Sequence, residues 1–261
     1  MPIIDTHAHL DHLPNLDQAL INACEANVEA IVAVSMDLAS CQRNLEIKNS
    51  KQKKPTIYLA MGIHPEKASL QELEPCEQLI RKNLSELSAI GEIGLDFWYK
   101  AIRKDKENHE VQRKVFRSFL ELAKELNLPV VIHSRGTWAE CLQIRKEIGL
   151  AKAVFHWYSG PVNILKNILE AGYLISASPA LAYSSASRDA VNYASVDQIL
   201  IETDSPVYFG NREAGDGFEA QPKDVWRSLK ALCELKGLEE NQALNQLNSN
   251  AKNFFNIKSS S

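Results

Sequence analysis

Short β-rich runs alternate with helix-patterned stretches along the whole 261-residue chain, and no other feature of the sequence restricts its fold as tightly. The runs cover residues 2 to 7, 30 to 35, 56 to 61, 88 to 93, 129 to 133, 152 to 156, 172 to 177 and 198 to 203. Between them lie segments such as "NHEVQRKVFRSFLELAKEL", where Val111, Val115, Phe119, Leu122 and Leu126 recur at steps of three and four. That spacing turns one apolar helix face toward a core. Strand then helix, eight times over, predicts an α/β chain closed into a (β/α)8 TIM barrel. An open doubly wound sheet is the rival, but no GxGxxG loop follows the first strand. With no glycine/serine linker and no repeat, the expectation is a single domain over 1–257 and a short tail over 258–261.

Composition narrows the function classes. With 45% hydrophobic and 24% charged residues, the chain has enough apolar content to bury a core. A net charge of −4 supplies no domain-wide positive field for long nucleic acid, so any such contact must be local. The five cysteines, Cys24, Cys41, Cys76, Cys141 and Cys233, are odd in number, widely spaced and without a CxxC pair. This argues against a disulfide framework or a thiolate zinc site, and small buried thiols in helices are expected instead. No apolar stretch reaches the ~18 residues of a membrane span and no signal-peptide pattern opens the chain, so the cytoplasm is the expected compartment.

Chemistry enters at the strand ends. "PIIDTHAH" finishes in His7 and His9, "SAIGEIGLD" carries Glu92 and Asp96, "LPVVIHSR" reaches His133, "KAVFHWYSG" reaches His156, and "QILIETDSP" ends in Glu202 and Asp204. Each of these side chains, taken singly, has an ordinary structural use as a cap or an ion-pair partner. Five apolar runs that all finish in metal-competent groups are another matter, because a barrel gathers every C-terminal strand end on one face. Residues two apart on an extended strand point the same way, so His7 and His9 can both face the mouth. Of the remaining histidines, His12 in the first loop and His109 at a helix start carry no expected role. His64, in "MGIHPE", stands on the functional face and is a candidate substrate contact.

The set of HxH after strand one, "GIHP" after strand three, "GEIGLD" at strand four, "PVVIHSR" at strand five, a histidine at strand six and "ETDSP" at strand eight resembles the TatD-type metal-dependent hydrolases. The likeness spans nearly the whole chain. It implies an amidohydrolase-like barrel with one or two divalent ions at its mouth, hydrolase and nuclease activity on DNA, and His7, His9, Glu92, His133, His156 and Asp204 as ligands. The chain departs from the family pattern at Glu66, where many members have a second histidine. Trp157 and Tyr158 replace a cysteine-phenylalanine pair, and Ala220 stands where an asparagine is frequent. These departures surround the mouth and leave the ligand set whole, so the chemistry is better defined than the substrate.

Four imidazoles and two carboxylates suit zinc, manganese or magnesium better than calcium, which takes an all-oxygen shell. Glu92, central among the histidines, is the candidate bridge between two ions, and Asp204 the ligand that also serves as general base. Glu202 and Asp96 are expected behind the ligands, orienting imidazoles. Arg135, two residues past His133, and the loop "FWYKAIRKDK" offer a phosphate contact and an aromatic surface. The leading expectation is a deoxyribonuclease or phosphodiesterase acting on DNA ends or short pieces. Ester or amide hydrolysis, such as removal of a D-amino acid from tRNA, competes with it. A lactonase is disfavoured because strand four offers Glu92 rather than a lysine bridge. A non-catalytic metal-binding module would require a blocked mouth.

Overall fold

A computed structural model describes residues 1–50, 55–150, 152–210, 213 and 215–258. Of the expected tail, residues 259–261 lie outside the described residues. Eight parallel strands, Ile3–Ala8 (β1), Val28–Val34 (β2), Thr56–Met61 (β3), Leu87–Asp96 (β4), Val130–Arg135 (β5), Ala153–Phe155 (β6), Leu174–Ala177 (β7) and Ile199–Ile201 (β8), pair in sequence order. The sheet closes where Ala8 bridges Ser205 and where the Asp204 and His9 amides donate to His7 and Ser205 carbonyls at 2.9 and 2.8 Å. A hairpin of Tyr208–Phe209 (β9) and Phe218–Glu219 (β10), which the sequence reading did not anticipate, lies beyond the eighth strand.

Nine α-helices among the described residues cover the barrel. Lys106–Leu126, the fourth in chain order (α4), shows how the sequence sets such an element. Asp105 caps its start by accepting from the Asn108 amide, and Asn127 ends it in the left-handed region at φ 53°. Val115, Phe119 and Leu122 are buried, while Val111 and Leu126, at the ends of the same stripe, are partly buried against the core. The apolar interior falls into two main layers. One lies between strands and helices. The other fills the barrel, where Ile4, Val32, Val131, Val154 and Leu200 meet Phe254 and Phe255 from the last helix, Glu240–Phe255 (α9). The floor is therefore plugged by apolar side chains, and polar groups collect at the opposite end.

Two expectations need correction. Cys24 is exposed, because it lies on the solvent side of the first helix; the other four cysteines are buried, and all five are free. Strand β1 also ends at Ala8, so His9 does not continue an extended strand but precedes a short 3-10 turn, Leu10–His12, at φ −88° and ψ 79°. No helix among the described residues is long and apolar enough to cross a membrane.

Candidate metal centre

Glu92 organises the mouth. It rises from β4, fully buried, and its two oxygens face different partners. Oε2 stands 3.3 Å from His7 Nε2 and 3.5 Å from His9 Nε2. The same two nitrogens lie 3.4 and 3.3 Å from Asp204 Oδ1. On the other side, Oε1 stands 2.7 Å from His156 Nε2 and 2.9 Å from His133 Nδ1, with His64 Nε2 at 3.6 Å. The fold thus brings His7, His9, Glu92, His133, His156 and Asp204 together from five strand ends, as two groups of donors sharing one carboxylate.

Acids behind the imidazoles fix two of them. Asp96 Oδ2 lies 2.8 Å from His133 Nε2, which leaves Nδ1 directed at Glu92. Glu202 Oε1 lies 3.4 Å from His156 Nδ1, which leaves Nε2 directed inward, and the second Glu202 oxygen accepts from Ser176 Oγ at 2.5 Å. Such carboxylate-histidine pairs set tautomer and ring orientation. His7 and His9 have no such support, for both nitrogens of His7 and Nδ1 of His9 are buried without a hydrogen-bond partner. His64 differs again. Its Nδ1 accepts from the Glu66 amide at 3.1 Å, so the proton sits on Nε2 and this ring offers a donor to the cavity.

Electrostatics follow from this crowding. Burial raises the Glu92 carboxyl, but the charges of His156, His64 and His7 outweigh it and hold the group well below the usual range. Burial likewise raises Asp204, and the hydrogen bond to His9 with the charges of His7 and His156 brings it down to about 2. Burial lowers His156, His133 and His9, yet the facing acids win and each imidazole sits above its ordinary value. The Glu92 and Glu202 charges act on His156, the Asp96 and Glu92 hydrogen bonds on His133, and Asp204 on His9. His64 is pushed well below the imidazole value by burial. The centre therefore calls for positive charge at two points. The unpartnered Nε2 of His7, together with imidazole nitrogens and carboxylate oxygens 2.7 to 3.6 Å apart, fits divalent cations. Close groupings of His7, His9 and Asp204 and of His7, His156 and Glu202 could each hold one; His64 lies near Glu92 and His133 but turns an N–H toward them.

A cavity of about 690 Å³ opens above the cluster, lined among others by His12, Tyr99, Arg135, Trp157 and Tyr183. Its openness removes the blocked mouth that a non-catalytic module requires. Arg135 Nε stands 2.8 Å from Asp96 Oδ2 and its guanidinium lies 4.5 Å from the Tyr99 ring centre, leaving it 42% exposed. His109 is structural, stacked on Phe97 at 3.9 Å with Nε2 2.9 Å from the Ile102 carbonyl oxygen. His12, read as an ordinary loop residue, stands on the rim, and only its distance of three residues from His9 hinted at this. Trp157 lines the cavity, in keeping with its place among the departures around the mouth, whereas Tyr183 carried no role in the sequence, because an aromatic residue in a loop has no periodicity to mark it.

An eight-stranded barrel with carboxylates and imidazoles converging at its C-terminal mouth defines a metal-dependent hydrolase. The profile of the TatD related DNase family matches residues 4–256, and the chain belongs to that family. An uncharacterized metal-dependent hydrolase of Methanocaldococcus jannaschii is 33% identical over 257 residues, covering 97% of this chain and 96% of the relative. Human deoxyribonuclease TATDN3 is 27% identical, covering 97% and 94%. The crystal structure of YjjV, a TatD homologue from Escherichia coli, superposes with a TM-score of 0.86 at 28% identity, covering 98% of both chains.

Proposed function

We propose that the chain is a divalent-metal-dependent deoxyribonuclease that hydrolyses phosphodiesters at DNA ends or in short single-stranded pieces in the cytoplasm. The observation that carries this reading is the Glu92 carboxylate, whose oxygens stand between two separate donor groups. His7, His9, Glu92 and Asp204 would hold one ion, and Glu92, His133 and His156 a second, with zinc, manganese or magnesium suited to such mixed donors. Bound there, divalent ions acidify a water and neutralise charge on the phosphoryl oxygens.

The chain's own residues supply the rest. Asp204, held ionised near 2, is a carboxylate at neutral pH and accepts the proton of the attacking water. Asp96 and Glu202 keep the His133 and His156 rings turned toward Glu92. Arg135, tethered by Asp96 and stacked on Tyr99, holds a phosphate, and His64 donates its Nε2 proton to a substrate oxygen. The cavity is of the size that buries one small ligand, which favours a strand terminus over an intact duplex.

The test is turnover of 3′- and 5′-labelled oligonucleotides, a mischarged tRNA and chromogenic esters by metal-loaded protein, with metal analysis. Oligonucleotide cleavage that Asp204→Asn reduces at least ~100-fold is expected. Near-full turnover by Asp204→Asn with metal bound would move the base elsewhere, and turnover confined to the mischarged tRNA would replace the phosphodiesterase reading.

A further inference from the structure

The mouth has two unlike walls. Arg135 is the single Lys or Arg side chain among the lining residues, and it stands on the β5 side. On the neighbouring β6 and β7 side, Trp157, Ser159, Ala180, Tyr183 and Ser184 line the cavity without a charged group among them. Tyr183 follows the short 3-10 turn Pro179–Ala182 and is 59% exposed, as much as any large apolar side chain in the described chain. Its amide donates to the Ala180 carbonyl at 3.0 Å, which fixes the backbone at the end of that turn and leaves one aromatic surface in water beside the metal centre.

Trp157 sits on the same wall with its backbone at φ 39°. Its amide donates to Ser176 Oγ at 2.9 Å, and its ring packs 5.2 Å from Phe209. Ala220 is buried in the same apolar cluster, and Tyr183 stands outside it. Trp157 is therefore committed to packing on the hairpin, while the Tyr183 ring is left to meet a ligand.

Charge adds a second argument. With a net charge of −4 and Arg135 as the one Lys or Arg lining the cavity, side chains outside the metal centre offer little affinity for phosphates beyond the one being cleaved. An exposed aromatic face can supply it, since every base has a π-surface to stack. Resting on the phosphodiesterase reading above, we propose that Tyr183 is the platform on which a base of a single-stranded end stacks while the adjoining phosphate lies between Arg135 and Glu92. The substrate is then a base-bearing nucleotide end, taken in preference to a bare sugar-phosphate chain.

The test compares a phosphorothioate pentathymidylate with a base-free pentamer of the same phosphorothioate backbone, binding to metal-loaded protein. Wild type should bind the base-bearing strand at least ~5-fold more tightly, the low end for one stacked base. Tyr183→Ala should abolish that preference while leaving affinity for the base-free strand unchanged, and Tyr183→Phe should keep most of it. With ordinary phosphodiesters, Tyr183→Ala should raise KM for the base-bearing strand and spare kcat. A preference that survives Tyr183→Ala, or an equal loss on both ligands, overturns the platform even if DNA is hydrolysed. Base preference lost in Tyr183→Ala without hydrolysis of any oligonucleotide would keep the platform and reject the nuclease reading.

Discussion

Two kinds of strand deliver side chains to this mouth. On β5, β6 and β8 strict alternation does the work: Val131, Val154 and Leu200 fill the barrel, and two residues on, His133, His156 and Glu202 point into it. On β1 and β4 alternation fails. Ile4 and Ala89 fill the barrel, yet the groups at its mouth are three residues on, His7 and Glu92. The pairing records why, because register shifts between Asp5 and Ala8 on β1 and between Ile90 and Ile93 on β4. A slip of one residue flips the side chains that follow it to the other face. The irregular strands therefore aim the bridge and one imidazole pair, while the regular ones supply the imidazoles that acids support from behind.

The largest test of this difference falls on the glycines of "GEIG". Gly94 faces His133 in the β4–β5 pairing at φ 152°, and a Cβ there would overlap the His133 carbonyl. Gly91 is nearly as tight, with a Cβ 2.7 Å from that of Val131. Gly94→Ala should cost more than ~4 kcal/mol, enough to unfold the barrel or lower Tm by 10 °C or more. Ser134→Ala, on regular β5, should stay within ~1 kcal/mol. Similar melting of both variants would break the comparison.

Next in size is the bridge itself. Glu92→Gln keeps the volume but removes the one charge both donor groups share, so metal content should fall at both positions and turnover by more than ~100-fold, beyond the usual cost of a supporting residue. His7→Ala should remove one ion and His133→Ala the other, each leaving about one per chain. If Glu92→Gln retained both ions, the centre would not be bridged. If His7→Ala lost stability but no metal, the β1 imidazoles would be core residues.

How much of this the sequence disclosed depends on the same distinction. Eight strands and their order were legible because burial between helices writes continuous apolar runs, and the polar residues ending five of those runs announced the mouth. His133, His156 and Glu202 follow from period two, while Asp204 lies past the end of β8 at φ 49° and is set by its amide bond to the His7 carbonyl. The structure brings His7 and Glu92 to the mouth, but through a register slip rather than the alternation offered for His7 and His9, and on β1 that slip leaves no mark in the sequence. The division of Glu92 between two groups was anticipated from its central position. The lack of hydrogen-bond partners for His7 and for Nδ1 of His9, and the cavity positions of His12 and Tyr183, were hidden, being made by contacts between distant segments.

Acidity separates the charge at this centre from its packing. His9, His133 and His156 are raised above 6.5 by facing acids, so their stabilisation of metal-free protein is fully present below 6.5 and is lost as pH rises through their folded values. Glu92 and Asp204 are lowered, so their share is present above 4.5 and 3.8 and is lost as pH falls through the folded values. Metal binding needs the same imidazoles neutral, so metal affinity should move the other way and weaken as pH falls. Melting of metal-free protein and metal titration across pH 5 to 8 should give opposite slopes. Parallel slopes would mean that cations and protons do not compete for these rings.

The smallest expected effect concerns Arg135, which regular alternation carries two residues past His133 to the rim. Its Nε is engaged by Asp96, so part of its charge already serves the carboxylate that orients His133. With 42% of the side chain exposed, the solvent-facing guanidinium edge remains to meet a phosphate. Arg135→Ala should raise KM for a phosphodiester by ~10-fold, the value of one charge-assisted contact near a surface, and leave an uncharged ester untouched. Arg135→Lys keeps the charge but loses the planar fork and the stacking on Tyr99, and should recover part of that loss. Equal damage to both substrates, with kcat falling rather than KM rising, would mean that Arg135 works through Asp96 and the His133 ring. The regular strand would then have delivered a brace for the metal centre instead of a hand for the substrate.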